Sequence, residues 1–329
     1  MSRARLASWF SSPPPTVAVE IGARRITAVA LGTVNGRMAV KAHATEPLPE
    51  GLVSPALTTP NIADRAAVGA IARRVVGALG ERAKRAALVL PDGAARVSLI
   101  RFERLPERQA DLGQLVRWQV RKTVPFPLEQ AQVSWTPGVR DADGETELVV
   151  SVARRDVVEE YEEVCRMAGL QAGLVDLATF DLVNLILAGD GSRNGAGSRT
   201  GDWLLVHVGP DSSTMAIVRD GSLLLFRNRA VDVEGTLADL VHQTAMYYED
   251  RLQGQGFTRV LVAPRDLSPA ALRELEDLWR GLEPRVSARV GEVDVREAVA
   301  LADGIAPSPD VLRALAAPVG LLLREQLAG

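Results

Sequence analysis

The sequence has one cysteine, Cys165, three histidines, and aromatic residues at only 4% of its 329 positions. A single thiol excludes a disulfide framework and a cysteine-based zinc cluster, and it fits a reducing compartment. His43, His207 and His242 are widely spaced, which argues against a histidine-rich metal centre. No apolar run approaches the ~18 residues that a spanning helix needs, and the N-terminus has no long apolar stretch of the secretory kind. Charge of one sign is also lacking: 38 Lys and Arg stand against 41 Asp and Glu, for a net charge of −3. Nucleic-acid proteins usually carry a basic surplus, so no nucleic-acid partner is expected. With 47% hydrophobic residues, the expectation is a soluble, cytoplasmic chain of roughly two or more domains of ~100–200 residues each.

Residues 1–15 are expected to form a flexible tail. Arg3, Arg5, Trp9 and Phe10 make it basic and aromatic, and Pro13-Pro14-Pro15 blocks helix or sheet. It reads as a plain terminus or as a weak surface anchor. Thr16–Ile21 alternates like a strand and breaks at Gly22, and Ile26–Leu31 resumes it. Asn35-Gly36 signals a hairpin into a third strand near Arg37–Ala42. Ile62–Leu79 has helical spacing and stops at Gly80. Arg85–Leu90, Val97–Phe102 and Glu147–Ala153 read as strands. Leu112, Leu115, Val116 and Val120 mark a helix face ahead of Pro125-Phe126-Pro127. Asp156–Ala168 is a clear amphipathic helix with Cys165 on its apolar stripe.

Residues 189–202 are rich in Gly, Ser, Asn and Arg and read as a flexible linker. After it the pattern of the first half returns. Trp203–Val208 is a strand broken at Gly209, Thr214–Arg219 follows, and Asp220-Gly221 turns into Ser222–Arg227. A helix then carries Leu237, Leu240, Val241, Ala245, Tyr248 and Leu252 on one face. The recurrence of Val19-Glu20-Ile21-Gly22 as Val206-His207-Val208-Gly209 suggests a duplicated α/β unit.

Paired glycine turns expose backbone N–H groups that can cradle phosphate, and a strand-end carboxylate can orient Mg²⁺ through water. The candidate nucleotide residues are Glu20, Gly22, Ala23, Arg24 and Arg25 from the first turn, and His207, Gly209, Asp211, Ser212 and Ser213 from the second. Glu20 keeps a carboxylate, but His207 stands at the equivalent position, and Pro210 removes a donor. The residues leave three readings open: plain turns, a weakened nucleotide site, or a working hydrolase. Glu159, Glu160, Glu162 and Glu163 read mainly as a solvated helix face. Ser98 and Ser134 have no triad partners. Trp118 and Trp135 flank the Pro125-Phe126-Pro127 segment as core or as the wall of a partner groove, with Trp118 and Phe126 the groove candidates.

An ordered series of motifs resembles the PilM family of type IV pilus assembly proteins, cytoplasmic relatives of the actin-like FtsA. Val17–Gly22 is similar to the family's first phosphate loop, and Leu88-Val89-Leu90-Pro91 to its Ala-Leu-Pro strand. Thr123–Glu129 is similar to its Tyr-Ile-Pro-Phe/Tyr-Pro-Leu-Asp/Glu signature. Val152–Arg155, Ala168–Leu170, Val175-Asp176, Gln243–Tyr248 and Pro318–Arg324 continue the series. The resemblance implies an actin-like (ribonuclease H-like) duplicated α/β fold. The first half would span 16–188 with an inserted α+β subdomain at about 88–153, the second half 203–308, and a C-terminal helix at 309–329 would pack back on the first half. It also adds Asp176 to the nucleotide residues.

The departures from the family pattern bear on ATP and Mg²⁺. Glu20 replaces Asp, Ala23-Arg24-Arg25 replaces serines, Ala178 replaces Glu, His207 replaces Asp, and Val262-Ala263-Pro264-Arg265 has none of the glycines of the adenosine loop. The expectation is a degenerate site without hydrolysis, and with no metal ligands assigned. The implied role is a scaffold at the cytoplasmic face of the inner membrane. It would hold the N-terminal peptide of a PilN-like bitopic protein and could contact pilus motor ATPases. An active ATPase and the cytoplasmic part of a type II secretion platform are the alternative readings.

Overall fold

The computed structural model describes residues 14–34, 36–140, 145–194, 201–231, 236–286 and 288–327. Most of the expected tail and Asn35 of the expected hairpin lie outside them. The first half opens with β1 (Val17–Ile21), β2 (Arg25–Val34) and β3 (Arg37–Pro47), an antiparallel meander. Helix α1 (Arg65–Ala78) starts at Asp64, whose side chain accepts from the Ala67 N–H at 2.9 Å. β4 (Arg85–Leu90) then lies parallel to β1.

Next come β5 (Ala95–Phe102), α2 (Gln109–Val120), β6 (Ala131–Arg140) and β7 (Thr146–Arg154). Their three strands form a separate antiparallel sheet in the order β5-β7-β6. Leu112, Val116 and Val120 of α2 pack on this sheet's Leu148 and Val150. Helix α3 (Arg155–Met167), strand β8 (Gln171–Leu177) and helix α4 (Ala178–Asn194) return the chain to the main sheet, where β8 is parallel to β4.

The second half contains β9 (Asp202–Val208), β10 (Ser212–Arg219), β11 (Ser222–Ala230), α5 (Leu237–Arg251), β12 (Arg259–Pro264), α6 (Pro269–Val286) and β13 (Arg289–Glu292). Its sheet runs β11-β10-β9-β12-β13, against β3-β2-β1-β4-β8 in the first. In both, the first strand pairs antiparallel with the second and parallel with the fourth in order of appearance. The duplication legible in the sequence is therefore a duplication of topology. β14 (Ala300–Leu301) adds to the edge of the first sheet beside β3, inside the range expected for the second half. Helix α7 (Pro309–Leu327) ends the described chain.

Strand alternation sorts the side chains into layers. Val17, Val19 and Ile21 face α1 and α3, while Ala18 and Glu20 face inward. Likewise Leu204 and Val206 face α5 and α6, while Trp203, Leu205 and His207 face inward. Between the two sheets lie α4 and α7, through Leu182, Leu185, Leu315 and Val319. These helices cross so closely that a Cβ on Gly320 would overlap the Asp181 carbonyl.

Two expectations change, and one strand is added that the sequence pattern did not mark. Residues 189–194, read as linker, are the last turns of α4, and Asp190 there is buried and paired with Arg259. Residues 195–200 of that stretch lie outside the described residues. The segment Ala131–Arg140 is a strand despite Pro137, which is tolerated because β6 is an edge. Glu160, read with the solvated run, is buried and accepts from the Asn61 and Ile62 N–H groups while pairing with Arg65. Cys165 is core as expected, and burial pushes its thiol up to about 12. Among the described residues no helix is long and apolar enough to cross a membrane.

Candidate functional site

The two glycine turns meet. Glu20, Gly22, Ala23, His207, Gly209, Asp211 and Ser212 line one crevice between the halves, with a volume of about 50 Å³. Small-molecule sites usually offer roughly 300–1,000 Å³. The crevice is small because the chain fills it with its own ion pairs. Arg265, from the end of β12, reaches across to the buried Glu20 carboxylate and pairs with it. Its Nε also lies 3.4 Å from Asp266, which pairs with Arg25 at 2.6 Å. Burial lowers the affinity of the Arg265 guanidinium for its proton, and Asp266 opposes that; an arginine at such a site still carries its charge. Gly22 makes room for this arrangement, since a Cβ there would come within 2.6 Å of Arg265 Nη2.

The second strand end is neutralised by a different partner. His207 Nδ1 lies 3.2 Å from Asp92 Oδ2 and 2.9 Å from Thr179 Oγ1. Asp92 also accepts from the Thr179 N–H at 3.0 Å and from the Thr214 hydroxyl at 2.7 Å. Burial by itself would raise the Asp92 carboxyl, but the hydrogen bonds and the charge of His207, with the two threonines, outweigh it and hold it below the usual range. Asp92, Thr179, Thr214, Arg265 and Asp266 were not among the sequence candidates. Arg265 was visible as a bulky departure in the adenosine loop, but its reach to Glu20 depends on how the halves pack. Burial raises Asp211, with Arg24 opposing.

The other candidates lie elsewhere. Arg24 turns outward to Glu50 at 2.9 Å, and with Arg25 it lines a separate groove beside Pro47 and Asp266. Ser213 is buried within β10. Asp176 lies at the end of β8 in a different cavity, an open cleft of about 460 Å³. Ser134, Trp135 and Thr136 of β6 form one wall of this cleft, Leu174–Asp176 of β8 and Phe180 of α4 another, and Leu223 of β11 a third. β6 and β8 are both edge strands. At its base Arg324 of α7 donates to Asp176 at 2.8 Å. Burial raises the Asp176 carboxyl, and Arg324 opposes it. Neither Trp118 nor Phe126 lines this cleft. Trp118 is 70% exposed on the outer face of α2, and Phe126 packs half-buried on the core of the inserted sheet.

Residues 18–250 match the family described as Type IV pilus assembly protein PilM. Among solved structures, the chain is similar to one titled PilM-PilN type IV pilus biogenesis complex, at 20% identity and a TM-score of 0.75. That match covers 95% of this chain and 99% of the other. EutJ, an ethanolamine utilization protein from Carboxydothermus hydrogenoformans, matches at 13% identity and a TM-score of 0.49, over 95% of this chain and 90% of the other. A Bacteroides thetaiotaomicron protein with an actin-like ATPase fold and unknown function matches at 13% identity and a TM-score of 0.48, over 84% and 90%. The fold is the duplicated α/β architecture shared with the PilM-PilN structure, carrying an additional three-stranded sheet in its first half.

Proposed function

The chain belongs to the PilM family of type IV pilus assembly proteins, and from that premise we propose that it works as a non-catalytic scaffold at the cytoplasmic face of the inner membrane. Its task is to hold the N-terminal cytoplasmic segment of a PilN-like bitopic protein. The contrast between the two cavities carries this reading. The cleft beside the inserted sheet is about 460 Å³ and open, whereas the crevice between the glycine turns is about 50 Å³ and occupied by the protein's own charges.

The cleft has features an extended peptide needs. Two edge strands, β6 and β8, border it and can offer unpaired backbone groups. Phe180, Leu174 and Leu223 supply apolar contact, and Asp176 with Arg324 supplies fixed charge at the base. The similarity to a structure titled as a PilM-PilN complex supports the choice of partner class.

The crevice does not fit ATP with Mg²⁺. Glu20, the carboxylate at the end of β1, is buried against Arg265, and His207 holds the equivalent place on β9 bound to Asp92. A nucleotide would have to displace a buried guanidinium before it could enter.

The test is titration of a labelled N-terminal peptide from a co-encoded bitopic membrane protein, followed by fluorescence anisotropy. Saturable binding in the micromolar range is expected. Ser134→Trp, which fills the cleft, should weaken it tenfold or more, about 1.4 kcal/mol. Absence of saturation at tens of micromolar peptide sinks the scaffold reading. Equilibrium dialysis against Mg-ATP should show no retention, and micromolar retention or turnover would restore the enzyme reading.

A further inference from the structure

We propose that the outer face of α2 is a docking surface for an anionic lipid bilayer. The observation is Trp118, which is 70% exposed and the largest of the exposed hydrophobic side chains among the described residues. Burying it would be favourable by a few kcal/mol, and nothing in the described chain covers it.

Its surroundings point to the class of surface that does. On a helix, residues three and four apart are neighbours. Around Trp118 these positions hold Gln114 and the half-buried Leu115 toward the N-terminus and Arg121, the cap residue of α2, toward the C-terminus; Lys122 follows in the turn after the helix, and Arg117 is adjacent in sequence. Arg121 and Lys122 are exposed and make no ion pair among the described residues. Arg117 is exposed and spends one N–H on the Leu128 carbonyl at 3.3 Å. Between Asp111 and Glu129 the sequence has these three cations and no acidic residue, although the chain as a whole is slightly negative. The opposite side of α2 is locked to the inserted sheet by Leu112, Val116 and Val120. The tryptophan and its cations are therefore presented on a rigid support.

A bilayer explains this combination better than an acidic protein. A protein interface of standard size needs roughly 800 Å² on each partner with an apolar centre. Here the exposed neighbours of Trp118 are Gln114, Arg117, Gln119, Arg121 and Lys122, so the apolar centre would be one side chain. A headgroup layer asks for less. Indole prefers the membrane–water interface, and each lysine or arginine near an anionic leaflet adds about 1 kcal/mol. The resulting contact is weak and salt-sensitive, suited to orienting a protein that other contacts already hold at a membrane. It does not rest on the peptide cleft, which Trp118 does not line.

Flotation of the full chain with vesicles of phosphatidylcholine alone, or with phosphatidylglycerol added, tests the proposal. Binding is expected only with the anionic vesicles, and it should disappear at high salt. The double variant Arg121→Gln/Lys122→Gln should lower the partition coefficient roughly thirtyfold, from two cations at about 1 kcal/mol each. Trp118→Ser should lower it as well, and brominated lipid should quench a component of the fluorescence that Trp118→Phe lacks. A chain beginning at Pro14 should keep its vesicle binding, which separates this surface from the basic tail. The substituted side chains are exposed, so melting curves and peptide titration should match wild type. Vesicle binding that survives both variants overturns the proposal. So does failure of the wild-type chain to float with the anionic vesicles at low salt.

Discussion

Arg265 carries a guanidinium from the end of β12 to the Glu20 carboxylate and so closes the crevice. Removing one partner of a buried pair leaves the other charge uncompensated, at a cost of ~3–5 kcal/mol. Arg265→Ala should therefore lower unfolding stability by about that much in a urea titration. Glu20→Gln/Arg265→Met should recover most of it, because the pair is removed as a unit. A loss below ~1 kcal/mol in the single variant would show that Arg265 is not seated as described. Asp181 makes the opposite prediction. It is fully buried, and burial raises its carboxyl well above the usual range, with Asp176 adding to the shift. In the folded state it holds its proton at pH values where the unfolded chain has released it, so its contribution weakens as pH rises from about 4. Asp181→Asn should thus be more stable than wild type at neutral pH, with the gap narrowing on acidification; an equal gap at pH 4.5 and pH 7.5 would refute the assignment. Asp92 runs the other way. Its folded carboxyl is held below the usual range, so the stability it adds is present at neutral pH and is lost as pH falls through that lowered value.

Elements are held at two kinds of junction, and each can be probed. At the start of α1, Asp64 satisfies the Ala67 N–H, and Asp64→Ala should cost about 1 kcal/mol in a thermal melt. At the crossing of α4 and α7, Gly320 meets the Asp181 carbonyl with no room for a methyl group. Gly320→Ala should cost at least ~1–3 kcal/mol, because both helices are pinned between two sheets and cannot separate cheaply. A Gly320→Ala variant with an unchanged melting temperature would mean that the helices cross farther apart. The same pinning explains why α4 escaped the sequence reading. A helix with neighbours on every side has no polar face, so the 3.6-residue rhythm that revealed α3 is absent. β6 escaped because Pro137 and Gly138 break the strand pattern, and only its edge position makes them acceptable.

At the scale of the whole molecule the halves share one central core besides their own outer ones: Ala18 and Val89 from the first sheet, and Leu205 and Val218 from the second, pack on the same pair of helices. A fragment of residues 201–308 lacks α4 and α7 and would expose Trp203, Leu205, Ala216 and Val218 to water. It should show no cooperative unfolding transition, and a sharp, reversible urea transition would overturn the shared-core picture. At this scale the line between sequence and structure is clear. The sequence by itself determined the repeated strand–turn–strand units and the family, because these depend on local alternation, turn chemistry and ordered motifs. It also marked Glu20, Gly22, His207 and Gly209 as belonging together, since duplication puts them at equivalent positions. Only the tertiary structure decided what fills the space between them. Arg265 reaches Glu20, and Asp92 reaches His207, across separations of more than a hundred residues, and such meetings follow from how the two sheets face each other across α4 and α7. The tertiary structure likewise moved Asp176 to the cleft and left Trp118 in solvent, because a strand end or a helix face acquires its surroundings only when the layers close.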